Sequence, residues 1–353
     1  MTAPAMNVDA TEAVRESHRF DVGRLERYLA ERIDGFKGPL TVRQFMGGQS
    51  NPTYHLATPG AQYVLRRKPP GKLLPSAHAV DREYRVITAL AGSGVPVPKT
   101  YLLCQDDEVI GTWFYVMECV IGRVLTDPRL PEVPPADRAK MYDSMNGVLA
   151  RLHTVDYKAI GLGDFGRTGQ YIQRQFHRWT QQYRASETER FESMERLIEW
   201  LPAHLPADDS TTLAHGDFRP GNVIMHPTEP RVAAVLDWEL STLGHPLADL
   251  AYNAMPYRLG MEWDGFRGKD LKALGLPSED EYVAAYCRRV GRASIPEWDW
   301  YVVFAIFRLA AIAQGIMGRV IAGTANDPQA RIRGERARPL ADAGWTIVQA
   351  MKR

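Results

Sequence analysis

The polar run His215-Gly-Asp217-Phe-Arg-Pro-Gly-Asn222, followed fifteen residues after Asn222 by Asp237-Trp-Glu239, gathers residue types that can do chemistry together. An aspartate, an asparagine five residues on and a second aspartate are the set that metal-assisted phosphoryl transfer needs. One carboxylate accepts a hydroxyl proton, while an amide oxygen and the other carboxylate offer hard oxygen ligands to Mg²⁺. Any one of these residues alone reads as a turn cap or a strand end. The three at this spacing, with His-Gly in front of Asp217, point to chemistry instead.

The same residues carry a resemblance. His215 to Asn222 with Asp237-Trp-Glu239 looks like the catalytic and metal-binding loops of the aminoglycoside phosphotransferase and choline kinase group within the protein-kinase-like fold. More narrowly, HGDFRPGNVI, LDWE and LSTLGHPLADLAY resemble the phosphotransferase-like family whose members also occur fused to acyl-CoA dehydrogenases. The likeness runs from about Phe45 to the C-terminal helices. It implies ATP as donor, Asp217 as catalytic base and Asn222 and Asp237 as magnesium ligands. It also implies that Asp249, set among apolar residues in Leu247-Ala-Asp249-Leu250, braces the catalytic loop. His245 stands where some relatives carry an aspartate.

Other elements must position these residues. Leu40 to Phe45, Tyr54 to Ala57 and Tyr63 to Arg67 are rich in β-branched and aromatic residues and read as short strands, as do Lys99 to Leu103 and Trp113 to Glu118. Gly47-Gly48-Gln49-Ser50-Asn51 is a Gly-rich turn between two of these strands, a suitable place for backbone N–H groups to cover phosphates. Alternation puts Val64, Arg66 and Lys68 on one strand face; by resemblance Arg66 is the phosphate-binding cation, with Lys68 the alternative. In the helix that follows, Glu83, Val86, Ile87 and Leu90 share one stripe, so the Glu83 carboxylate faces the sheet and needs a cation, for which Arg66 is the candidate. The strand ending at Glu118 runs into a connector; in the family this is the hinge, and its backbone around Glu118 to Val120 binds adenine.

The chain after Pro135 changes to helical periods, at about Arg138 to Thr154, Gly169 to Glu199, Glu279 to Val290 and Trp298 to Gly323, with one β-rich island from Thr212 to Asp237 that forms a hairpin. The expected fold is α+β and protein-kinase-like. It has an N-terminal lobe over residues 1–118, with a five-stranded sheet and one helix for nucleotide phosphates, and a mainly helical C-terminal lobe over 119–353 for the catalytic loop, metal and acceptor. Gly161-Leu-Gly-Asp-Phe-Gly166 matches GxGxxG, but no apolar strand precedes it, so it reads as a loop.

Composition excludes other classes. Among 353 residues, 43 Lys and Arg against 42 Asp and Glu give a net charge of +1, which advertises neither a nucleic acid nor an acidic membrane as partner. Three well-separated cysteines make neither a disulfide framework nor a zinc site, and the first twenty residues lack a secretory pattern, so a cytoplasmic protein is expected. The apolar run Val302 to Met317 is broken by Arg308 and Gln314 and reads as a buried helix. Asp249 follows Asp237 by only twelve positions, too few for the activation segment of a protein kinase, which favours a small-molecule hydroxyl over a protein as acceptor. From Tyr301 onward eight basic residues stand against three acidic ones, and Arg308 and Arg319 lie along one side of a helix. That favours an anionic hydroxy compound such as a hydroxyacyl-CoA over a polycationic aminoglycoside or choline. A metal-dependent hydrolase and a nucleotide-binding pseudokinase are the competing readings; oligomeric state is left open.

Overall fold

The computed structural model describes residues 7–46, 51–71, 78–325 and 327–351. In chain order its elements begin with β1 (Thr11–Glu12), α1 (Val22–Ala30), β2 (Thr41–Phe45), β3 (Thr53–Ala57), β4 (Gln62–Arg67) and α2 (Val80–Leu90). Next come β5 (Thr100–Cys104), α3 (Asp107–Ile110), β6 (Phe114–Glu118), α4 (Pro135–Thr154), α5 (Tyr171–Ala185) and α6 (Glu192–Ala203). Then follow β7 (Thr212–Ala214), β8 (Val223–Met225), β9 (Val232–Val235), β10 (Thr242–Gly244) and α7 (Pro246–Ala254). The last are α8 (Leu271–Leu274), α9 (Glu279–Val290), α10 (Trp298–Ile321), α11 (Ala330–Gly334) and α12 (Ala337–Met351). They fall into two compact units. One comprises Met1–Arg151, Asp156–Leu162 and Arg219–Ser241; the other comprises Leu152–Val155, Gly163–Phe218 and Thr242–Arg353.

The first unit is built on an antiparallel sheet in the order β1-β2-β3-β4-β6-β5. Five of these strands are those the sequence predicts. The sixth, β1, is two residues long and carries no apolar alternation that could have flagged it. Strand alternation gives the sheet two different faces. Tyr54, Leu56, Tyr63, Leu65, Phe114 and Val116 point to one side, where Leu25 and Leu29 of α1 close a core. Arg66 and Tyr115, cross-strand partners in the β4–β6 register, share the opposite face. There α2 buries Val80, Glu83, Val86, Ile87 and Leu90, the stripe expected from its spacing. The hairpin β8–β9 completes this unit, with Val223 opposite Val235.

The second unit is mainly helical and organised around α10, whose residues from Trp300 to Phe307 are all buried. At 24 residues this helix is long and apolar enough to cross a membrane by length and composition, more than the Val302 to Met317 run suggests, and 67% of its most apolar window is buried inside the protein. Helices α5, α7 and α12 pack on it. The helix predicted from Gly169 to Glu199 is two helices. The break spans residues 186–191, where the side chain of Gln314, itself 1% exposed, donates to the Ser186 carbonyl at 2.7 Å and to the Thr188 hydroxyl at 2.8 Å. A buried amide from a distant helix thus takes up backbone that would otherwise continue the coil. The island expected as a single hairpin also divides. The strand β7 pairs with β10, Thr242 opposite Ala214, while β8 pairs only with β9 among the described strands.

Candidate active site

Register brings Asn222 and Asp237 together in the first unit. Asn222 closes a turn directly before β8 and Asp237 lies two residues beyond Val235 at the end of β9, so both stand at the same end of the hairpin. The Asn222 carbonyl accepts the Leu236 N–H at 2.8 Å, which locks that end. Asp237 has φ 63° and ψ 58°, a left-handed backbone that costs a non-glycine residue free energy and is met more often at functional sites than elsewhere. Gly122 permits a close approach to this hairpin, since a Cβ on it would sit 2.3 Å from the Met225 carbonyl oxygen.

Asn222 and Asp237 line one cavity of about 280 Å³ together with Thr53, Val64, Arg66, Ile87, Tyr115, Met117, Glu118, Val120, Ile224 and Trp238. Its apolar walls suit a flat ring and its charged end suits phosphates. At that end Arg66, 11% exposed, lies 2.7 Å from Glu83, 2.9 Å from Asp237 and 3.6 Å from Glu239. The Arg66–Glu83 pair is the one that strand alternation and helix spacing predict. Lys68, the alternative cation, instead rests over the Trp113 ring at 3.9 Å.

Glu83 is 1% exposed and fully engaged: Asn51 Nδ2 donates to it at 2.7 Å and the Tyr115 hydroxyl at 3.1 Å. Burial pushes the Glu83 carboxyl above its ordinary range, with Arg66 pulling the other way. Burial likewise works against the charge of Arg66, but the surrounding acids, Glu83 first, hold its pKa above the ordinary value. The Tyr115 hydroxyl is raised well above its usual value by burial and by Glu83, so it serves as a donor. Tyr115 carries no signal in the sequence, and Glu239 stands there only as the end of the Asp237-Trp-Glu239 motif, without a role of its own. Both are ordinary-looking residues whose role depends on cross-strand register and on a turn.

Of the turn expected to cover phosphates, Gly47, Gly48, Gln49 and Ser50 lie outside the described residues. Asn51 is buried and its side chain is spent on Glu83 and on His78 Nδ1 at 3.0 Å, so it acts here as a brace for Glu83. In the connector, Glu118 is exposed and its Oε2 accepts the Lys99 N–H at 3.1 Å. The Val120 carbonyl accepts from Asn7 Nδ2 at 2.8 Å, and Asn7 Oδ1 accepts the Gly122 N–H at 3.2 Å. Asn7 therefore joins the wall of the cavity, which no local pattern in the sequence signals.

Asp217 belongs to the second unit, half-buried on a loop held from several directions. Asp249 on α7 accepts the N–H of His215 at 2.7 Å and of Gly216 at 2.9 Å, and its Oδ2 lies 3.2 Å from His153 Nε2. Burial opposes the charge of Asp249, but the hydrogen bonds from His153 and the His215 amide hold its carboxyl below the usual range. With Asp249 ionised, His153 Nε2 donates to it, and His153 Nδ1 lies 2.7 Å from the Tyr286 hydroxyl. Gly216 has φ +84°, a conformation that any side chain would strain.

His245, without a derivable role in the sequence, is the N-cap of α7: its Nδ1 accepts the Leu247 N–H at 3.2 Å. It is fully buried, stacks on Tyr301 with ring centroids 5.2 Å apart and meets the Asp208 carbonyl at 3.2 Å. Burial depresses its pKa below the ordinary value, opposed by Asp208, with Arg292 reinforcing the depression and Asp209 opposing it. The unfolded chain therefore takes up this proton first as pH falls. Stability should drop as pH falls below about 6.5, by at most about 1.4 kcal/mol per pH unit for this one proton. His245→Asn, which can still cap, should show a shallower loss of thermal stability between pH 6.5 and 5 than the parent. Parallel Tm–pH curves would contradict this.

The two arginines read as an acceptor face differ in their surroundings. Arg319 is exposed, whereas Arg308 is half-buried and its Nη2 donates to the Gly216 carbonyl at 2.8 Å. Part of the basic surplus near the C-terminus is neutralised within the unit, since Arg338 pairs with Glu189, while Arg333 pairs at 2.9 Å with Asp327, one of the three acids of that stretch. Cys104, Cys119 and Cys287 are free and buried. Among the described residues no group of three or more His, Cys, Asp or Glu side chains could by itself hold a metal ion. Asn222 and Asp237 bring a different donor set to one end of the hairpin, an amide and one carboxylate. That fits Mg²⁺, which typically binds through one or two carboxylates plus phosphate oxygens rather than in an all-protein cage.

A family model described as the phosphotransferase enzyme family matches residues 41–301. Acyl-CoA dehydrogenase family member 10 of Mus musculus is 46% identical over 344 residues, 96% of this chain and 32% of that protein. Acyl-CoA dehydrogenase family member 11 of Gallus gallus is 45% identical over 347 residues, 96% of this chain and 44% of that protein. The chain thus spans less than half the length of these curated relatives. Among solved structures, a chain from Ralstonia eutropha JMP134 assigned provisionally as an aminoglycoside phosphotransferase is 51% identical, with TM-score 0.87, covering 94% of this chain and 99% of its own. Spectinomycin phosphotransferase in complex with ADP and spectinomycin is 13% identical, with TM-score 0.60, covering 93% of this chain and 98% of its own, a likeness of fold.

Proposed function

Because the chain belongs to the phosphotransferase enzyme family and has its kinase-like fold, we propose that it moves the γ-phosphoryl group of ATP, with Mg²⁺, to a hydroxyl of a small molecule. The observation that carries this reading is the charged end of the first unit's cavity, where Arg66, held by Glu83, stands beside Asp237, with Asn222 on the same wall. The apolar part of that cavity would take the adenine ring, and Arg66 would meet phosphate oxygens as a fixed cation. Asn222 and Asp237 would hold magnesium, which when bound neutralises charge on the phosphate oxygens. Asp217 would take the acceptor's hydroxyl proton as the new O–P bond forms and the bond to the leaving ADP breaks.

For the acceptor we propose an anionic hydroxy compound, a hydroxyacyl-CoA being the leading case. The names of the curated relatives support it, as does the basic surplus after Tyr301. ATP turnover measured against kanamycin, choline and a panel of hydroxyacyl-CoAs tests the acceptor. Saturable turnover with the acyl-CoAs is expected, and saturation by a cationic compound alone would overturn this choice. The donor side is tested separately. Asp237→Ala should remove the magnesium dependence of ATP binding in calorimetry, since it deletes the one charged oxygen ligand of the pair. An unchanged magnesium dependence would remove Asp237 from the metal site.

A further inference from the structure

Arg308 is an expensive residue where it stands. The helix around it, from Trp300 to Gln314, is otherwise apolar apart from its Gln314 end, and the guanidinium lies between aromatic faces, 4.9 Å from the Tyr252 ring centroid and 5.5 Å from that of Trp179. Its Nε is buried and makes no hydrogen bond among the described residues. A methionine or leucine would fill comparable space without bringing a charge into an apolar helix. What arginine adds is one directed contact, the hydrogen bond from Nη2 to the Gly216 carbonyl.

That carbonyl belongs to the peptide plane joining Gly216 to Asp217. The other edge of the same plane, the Asp217 N–H, donates to His215 Nδ1 at 3.2 Å. The preceding plane is fixed by the Gly216 N–H on Asp249 at 2.9 Å, and the Phe218 carbonyl accepts from Asn253 Nδ2 at 3.2 Å. Gly216, with φ +84° and no side chain, is the residue of this loop whose backbone could most readily turn. Arg308 holds the carbonyl edge of the plane that such a turn would swing. From this geometry we infer that Arg308 is a positioning residue for Asp217: it fixes the Gly216–Asp217 peptide plane and thereby the direction in which the Asp217 side chain leaves the backbone. The inference rests on the proposed role of Asp217 as the base and makes Arg308 part of that machinery rather than an acceptor ligand.

The test uses the full chain and Mg²⁺-ATP with water as acceptor, so that no acceptor needs to be known. Arg308→Met keeps the bulk and loses the donor; Arg308→Lys keeps a donor on a flexible stem. Misplacing a catalytic group by about an ångström costs up to about a hundredfold in rate. Arg308→Met should therefore lower kcat for ATP hydrolysis by about ten- to a hundredfold at unchanged nucleotide affinity, and Arg308→Lys should recover part of the loss. The double variant Asp217→Asn/Arg308→Met should be no slower than Asp217→Asn alone, because placing a base that is gone has no further effect. Amide exchange at Gly216 and Asp217 should also quicken in Arg308→Met, and in Arg308→Lys if the methionine variant does not fold. An unchanged kcat in Arg308→Met beside a slowed Asp217→Asn overturns the inference, as do additive losses in the double variant or unaltered amide exchange. If Asp217→Asn itself retains full turnover, the base assignment falls and this inference falls with it, an outcome the single variants separate from failure of Arg308 alone.

Discussion

Asp217→Asn is expected to lower phosphoryl transfer by about 10²- to 10⁴-fold while leaving ATP affinity nearly unchanged. The size follows from what a positioned general base contributes, and the selectivity follows from where the residue sits. The cavity proposed for the nucleotide is lined by residues of the first unit, whereas Asp217 belongs to the second. Asparagine matches aspartate in shape, and the loop is held by its backbone through Asp249, so the fold should be indifferent to the change. Single-turnover rates read beside nucleotide titrations check this. Full activity in the variant would show that no base is needed at Asp217, and a large loss of ATP affinity would move the residue into the nucleotide site.

Glu83→Ala should strongly destabilise the first unit. Removing one partner of a buried ion pair costs about 3–5 kcal/mol, because the remaining charge stays out of water. Here Arg66 would keep Asp237 and Glu239 nearby, which places the expected cost toward the lower end. Against that, the Asn51 amide and the Tyr115 hydroxyl would both lose their acceptor. Glu83→Gln, which preserves shape and one acceptor, should cost less than alanine. Urea denaturation of the three proteins decides the point, and an alanine variant within about 1 kcal/mol of the parent would mean that Arg66 does not depend on Glu83.

The sequence made the Arg66–Glu83 pair legible because both residues sit in long periodic elements. Period two fixes the face of β4 and period 3.6 fixes the face of α2, and a carboxylate on an apolar stripe demands a cation. The spacing of Asn222 and Asp237 was legible as chemistry, and the hairpin that joins them was legible as a β-rich island. What escaped notice depends on partners distant in sequence. Strands β7 and β10 have three residues each, too few to show alternation. The break between α5 and α6 contains neither glycine nor proline and is made by Gln314 from another helix. The bracing role of Asn51 and the carbonyl that Arg308 holds are likewise tertiary facts: the side-chain types were visible, but not where they would be aimed.

The first unit is assembled from three separate stretches of chain, and this governs the order in which its parts can exist. Arg66 and Asp237 are 171 residues apart. At a ribosomal pace of about 5–20 residues per second, the sheet carrying Arg66 waits about ten to thirty seconds for Asp237. Through most of that interval Glu83 is the only one of the three acids around Arg66 that has been synthesised. No single cut yields this unit intact. A truncation at Arg151 would keep the sheet and lose the β8–β9 hairpin, and a fragment beginning at Arg219 would keep that hairpin and lose the sheet.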